Sequence, residues 1–226
     1  MEKYTYLLIN LFSISVPFLF SFEKRLGFRR YWKALFPAIG LTAAFFIVWD
    51  HFLTSWGVWG FNPEYVIGWW IWGLPVEEWM FFFTIPYACV FTYSSLNILL
   101  PGDRIGPYAR NITSTWFVIL SCVALANTDK LYTGIKLSLT ALMLAYVWWK
   151  NPAWLGRFYR SYLVCLIPFL LVNGLLTSLP VVTYNDLENL GIRIHTIPVE
   201  DTQYTLLLLL MNVTLFEHFR SKFRLG

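Results

Sequence analysis

Gly73-Leu74-Pro75-Val76-Glu77-Glu78-Trp79-Met80-Phe81-Phe82-Phe83 places two adjacent carboxylates behind a proline at the head of a long apolar run. Pro75 suits the first turn of a helix, where its missing N–H costs nothing. The run continues to about Leu99, long enough to span a bilayer. Glu77 and Glu78 therefore lie where a membrane helix leaves the interface, and carboxylates there are costly and point to function. The pattern returns as Pro198-Val199-Glu200-Asp201 ahead of Leu206–Leu210. A single such motif is explained equally well as negative charge on the positive end of a helix dipole. Two copies at matched places favour chemistry.

The rest of the chain agrees with a membrane setting. Of its 226 residues 58% are hydrophobic and only 13% charged, where soluble domains carry about 25%. The first apolar stretch follows Lys3 alone and has no small-residue cleavage site, so it is expected to be a retained helix and not a signal peptide. Cys89, Cys122 and Cys165 are isolated in apolar runs and suggest neither a disulfide frame nor a metal site. The expected fold class is an all-α integral membrane protein with about seven transmembrane helices, at roughly 4–22, 32–52, 76–98, 112–127, 131–149, 158–177 and 199–219. Sorting the seventeen Lys and Arg by loop puts thirteen on one face. Only Lys3, Lys130, Lys136 and Arg193 fall to the other. The positive-inside rule then sets the N-terminus outside and the C-terminus in the cytoplasm of a multi-pass cell-membrane protein, with both carboxylate motifs on the outer face.

A shift of 123 residues, without gaps, lays Pro75-Val76-Glu77-Glu78 on Pro198-Val199-Glu200-Asp201. The same shift lays Phe61-Asn62 on Tyr184-Asn185, Asp50 on Asn173 and Thr54 on Thr177. We read a three-helix repeat at 1–100, a linker helix at 101–130 and a second three-helix repeat at 131–226. An odd number of spans per repeat plus one linker span gives parallel repeats, and membrane repeats often place a site at their interface. Between spans two and three runs Trp56-Gly57-Val58-Trp59-Gly60-Phe61, then Trp69-Trp70-Ile71-Trp72. These aromatics form either a belt at the interface or a segment folded inward over a pocket. The less aromatic equivalent, 178–197, keeps the second possibility open.

The doubled Pro-x-Glu-Glu/Asp motif, with Asn62 and Asn185 upstream and Asn173-Gly174-Leu175-Leu176-Thr177 closing span six, resembles the membrane lycopene cyclases of the non-flavin type. The resemblance covers nearly all of the chain and is to the fused, single-chain form. It implies cyclisation of carotenoid end groups, lycopene to γ- and β-carotene. It also implies a lipophilic polyene substrate, lycopene, taken from the bilayer, contact with membrane lipid and with other carotenoid enzymes, and no nucleic-acid partner. The halves differ: Thr202-Gln203-Tyr204 follows the second motif where Trp79-Met80-Phe81 follows the first, and Asp50 stands against Asn173.

Cyclising a ψ end group changes no redox state. A proton adds at C2, the C5=C6 bond attacks the resulting tertiary cation, and a proton leaves C6. The site needs an acid, an apolar cavity tolerant of cations, and a weak base. No cofactor and no metal is expected. A carboxyl serves as the acid when burial and a second carboxyl keep it protonated against the helix dipole. Candidate catalytic residues are Glu77, Glu78, Glu200 and Asp201. Adjacent residues diverge by about 100° on a helix, so one member of each pair is expected to enter a cavity. Glu78 shares a face with Phe81, Phe82 and Ile85. Candidate substrate-binding aromatics are Trp72, Trp79, Phe81 and Phe82, as cation–π partners or as ordinary lipid-facing or core aromatics. Asn62, Asn185 and Asn173 are candidates to orient the site, the first two alternatively as turn formers. Asp50 reads as a span end, and His51 and His195 as weak candidates for proton relay.

Other classes lack their motifs. There is no Gly-x-Gly-x-x-Gly turn for a dinucleotide, no histidine cluster for di-iron chemistry, no paired Asp-rich motif for a prenyl diphosphate, and no lysine in span seven for a retinal Schiff base. The alternative of another class is a membrane carotenoid carrier or proton-coupled small transporter, with the carboxylates as binding groups.

Overall fold

The computed structural model describes residues 2–225. Seven helices dominate: α1 (Thr5–Phe20), α2 (Trp32–Ser55), α3 (Val76–Leu99), α4 (Gly106–Ala126), α5 (Leu131–Lys150), α6 (Leu155–Ser178) and α7 (Glu200–Lys222). At 24 residues, α2, α3 and α6 are about 36 Å long, enough for a hydrocarbon core of about 30 Å. The protein is an all-helical membrane protein. Phe12, Leu142, Ile167 and Leu171 point outward from the inner turns of their helices, as lipid solvation allows.

Helix ends follow local chemistry. α4 begins six residues earlier than its apolar run, because Pro107 suits a first turn. Asp103 Oδ1 accepts from Gly106 N at 2.9 Å there. Six helices are apolar and long enough to cross a membrane by themselves. α7 is the exception, because Glu200, Asp201, Glu217, Arg220 and Lys222 dilute it. It needs no lipid-facing stripe, since Leu206–Leu210 are all buried and α7 packs against α2, α3, α5 and α6. Lys136, counted above with the outer loops, is fully buried in α5.

The two long loops fold as small β elements at one end of the bundle. β1 (Trp59–Phe61) pairs antiparallel with β4 (Val182–Tyr184), Gly60 opposite Thr183. β2 (Trp70–Ile71) and β3 (Leu74–Pro75) form one tight hairpin, β5 (Arg193–Ile194) and β6 (Ile197–Pro198) another. The bonds come in pairs 123 residues apart. Asn62 N donates to Val181 O at 3.0 Å and Asn185 N to Val58 O at 2.9 Å. Val76 N donates to Trp69 O and Val199 N to Ile192 O, both at 2.9 Å. β1 carries Trp59 inward, while Trp69, Trp70 and Trp72 stay exposed, so the tryptophan-rich loop divides between pocket wall and surface.

Candidate functional site

Both acidic motifs open a helix beneath these hairpins. Pro75 caps α3 in an extended conformation, so Glu77 and Glu78 fall in the first turn, both buried. Their side chains leave the helix about 100° apart and meet different surroundings. Glu77 Oε1 accepts from Ile67 N at 2.7 Å, and Glu200 Oε1 from Leu190 N at 2.7 Å and Thr133 Oγ1 at 2.7 Å. These two carboxyls tie the loop to its helix. Glu78 and Asp201 instead face one pocket of about 450 Å³.

The pocket lies at the loop end of the bundle and is walled mostly by aromatics, among them Trp59, Phe61, Phe81 and Phe169. Its polar groups fall into two sets. In the first, Glu78 Oε2 accepts from the Tyr6 hydroxyl. The Asp50 carboxyl stands within hydrogen-bonding reach of Glu78, and Tyr204 donates to Asp50 Oδ1 at 3.2 Å. In the second set, Asp201 is surrounded by donors. Its Oδ1 accepts from the Tyr132 hydroxyl and, at 3.2 Å, from Lys136 Nζ. Its Oδ2 accepts from Asn173 Nδ2 at 2.7 Å and from the Tyr184 hydroxyl at 2.8 Å. Lys136 also donates to the Tyr132 hydroxyl and lies 4.8 Å from the Tyr204 ring centroid. Burial, reinforced by the Asp201 carboxylate, pushes the Tyr184 phenol on β4 well above its ordinary pKa, so it stays a donor.

Of the residues singled out from the sequence, Glu78, Asp201, Asn173 and Phe81 line this pocket. Glu77 and Glu200 stand behind it. Asn62 Oδ1 accepts from Glu64 N at 3.0 Å and Asn185 Oδ1 from Leu187 N at 3.1 Å, so both close turns. Trp72 is half exposed and stacks on His51 at 4.3 Å. Trp79 Nε1 donates to Ile71 O at 3.1 Å, holding the β2–β3 hairpin. Phe82 is buried against Phe46 in the core. His195 lies on an exposed turn.

Asp50, Tyr6, Tyr132, Lys136 and Tyr204 join the site without having been named for it. Asp50 had its signal, falling on Asn173 at the 123-residue shift. Lys136 is a charge within an apolar span, which alone marks a site, although its place near the start of α5 also suits a loop residue. Tyr6 and Tyr132 correspond only at a shift of 126, which an ungapped comparison does not reach.

Among known families, the one described as lycopene cyclase matches the chain at residues 3–96 and 129–219. The stretch between them, 97–128, holds α4 and its flanking loops. No curated protein and no solved structure matches the chain.

Proposed function

The chain belongs to the lycopene cyclase family, and from that premise we propose that it is an intramolecular lyase of the isomerase class that closes the ψ end groups of lycopene to β rings by acid catalysis. A carotenoid cyclase role follows from the family, and the substrate is then a lipophilic carotenoid met in the membrane. The observation that carries the mechanism is the buried Asp50–Glu78 pair in an aromatic pocket.

Two carboxyls within hydrogen-bonding reach can bond only if one carries a proton, and like charges so close cannot both ionise. Asp50 and Glu78 together hold the proton that is delivered to C2. Asp201 differs in kind. Four donors, one of them Lys136 Nζ, converge on its two oxygens. It faces the cationic carbon skeleton from across the pocket, where preorganised negative charge stabilises developing positive charge. Trp59, Phe61, Phe81 and Tyr204 add ring faces to the same cation and exclude water that would trap it. Glu77 and Glu200 are loop anchors in this reading, and Asn173 and Lys136 position Asp201.

The paired loop contacts and the two matched stretches support two parallel three-helix repeats, 1–100 and 131–226, with the linker helix at 101–130. The basic residues of the loops support an N-terminus outside the cell membrane and a cytoplasmic C-terminus, which puts the pocket near the outer face. The test is conversion of pigment. Protein purified into lipid, with chelator present and no flavin or nicotinamide, is expected to turn lycopene into monocyclic and then bicyclic β-ring product. Unchanged lycopene would leave a carrier as the reading; conversion only with added reduced flavin would overturn the acid mechanism.

A further inference from the structure

We propose that the apolar cleft between α1, α3, α6 and α7 is the berth for the polyene stem of the substrate, and that the molecule keeps one such berth and has filled its counterpart. The proposal rests on the cyclase reading and adds the binding site for the part of the substrate that does not react. The acid pocket is walled closely by aromatic side chains around Glu78 and Asp201. It suits one end group, and the rigid rod attached to that group must leave by an apolar route.

Such a route is present. A second cleft of about 510 Å³ adjoins the acid pocket, the two sharing Phe81, Phe169 and Asn173 as lining. Ile85, Ala88 and Cys89 of α3 face Cys165 and Val172 of α6 across it, and the lining carries no carboxyl, amine or imidazole. At its rim are the half-buried Ser13 of α1 and the exposed Pro168 of α6, so it opens on the lipid-facing side. An apolar rod can slide from the bilayer into it sideways, end group first.

The other half of the molecule shows what closes such a cleft. At the 123-residue shift, Phe169 corresponds to Phe46, Val172 to Trp49, Thr205 to Phe82 and Phe81 to Tyr204. Those four counterparts form a solid block. Phe46 lies 5.4 Å from Trp49, 5.8 Å from Phe82 and 5.1 Å from Tyr204 between ring centroids, and Trp49 lies 5.7 Å from Tyr204. Phe46 and Phe82 are fully buried. The open side has smaller residues, Val172 and Thr205 among them, where the closed side has Trp49 and Phe82. Those two positions set which side admits the stem.

The experiment puts the closing residues into the open side. Val172→Trp and, separately, Thr205→Phe are made in a Glu78→Gln background and in the otherwise unchanged protein, with Leu171→Trp, on the lipid face of α6, as control. Each protein is purified from lycopene-accumulating cells and the pigment per protein measured by absorbance. Glu78→Gln alone and with Leu171→Trp should retain lycopene; adding Val172→Trp or Thr205→Phe should cut it by about tenfold or more. In the active background the same two changes should raise KM for lycopene by a similar factor. A ψ-ended polyene too short to reach the cleft should still be cyclised, which separates a blocked berth from a damaged acid pocket. Unchanged pigment and KM in both filled variants would overturn the berth while leaving the cyclase reading intact, as would recovery of lipid acyl chains instead of lycopene. Pigment lost from the filled variants of a protein that never alters lycopene would keep the berth and overturn the cyclase reading.

Discussion

Glu77 and Glu78 are neighbours in the chain with different surroundings, and substitutions at them should separate. Glu78→Gln keeps size and the Tyr6 contact but cannot deliver a proton. We expect turnover to fall by about 10²–10⁴-fold with helical content and expression unchanged, measured as pigment conversion and circular dichroism. Glu77→Gln should retain most turnover, because among the described residues its carboxyl accepts from Ile67 N alone; equal loss at both positions would refute the division of roles. Lys136 tests the second set. Lys136→Met leaves Asp201 buried without its cation and should cost about 3–5 kcal/mol of stability, read from thermal unfolding in detergent. Lys136→Met with Asp201→Asn should recover most of that stability but not activity. A residue at this scale is judged by what it faces, and that is decided a helix or two away.

Elements carry the geometry. The hairpins hold the acidic turns in place through Ile67 N and Leu190 N, and β1 and β4 bring Trp59 and Tyr184 over the pocket. Asn62 and Asn185 close turns in these loops. Asn62→Ala removes the acceptor for Glu64 N and should cost about 1 kcal/mol of stability with KM unchanged. The same holds for Asn185→Ala and Leu187 N. A change in KM without loss of stability would return these asparagines to the substrate. The chain difference noted after the second motif acquires a purpose here. Tyr204 of α7, at the position of Phe81 in α3, supplies the hydroxyl that reaches Asp50 of α2. The two halves are thus unequal at this position, Phe81 in one and Tyr204 in the other.

For the molecule as a whole, α7 is enclosed by the other helices, and the site lies where α2, α3, α5, α6 and α7 converge beneath the loops. Removing Lys136 from the outer tally leaves thirteen basic residues against Lys3, Lys130 and Arg193, which sharpens the expected orientation. Reporter fusions after Gly102 and after Pro152 should both read cytoplasmic. An outward reading at either would overturn the parallel arrangement of the repeats.

The sequence by itself determined the membrane class, the helix positions to within a few residues except the start of α4, and the doubled acidic turn, because all three are local. Apolar run length, proline placement and spacing along the chain are legible without a partner. It also placed Asn173 and Phe81 among the candidates, through position relative to the motifs. Only the tertiary structure decided which carboxyl of each pair faces the pocket, since two residues 100° apart on a helix are equivalent until something packs on one side. It likewise decided that Asp50 meets Glu78 and that Lys136 meets Asp201. Those pairings join helices far apart in the chain, and burying such groups is tolerable only because each is met by its partner.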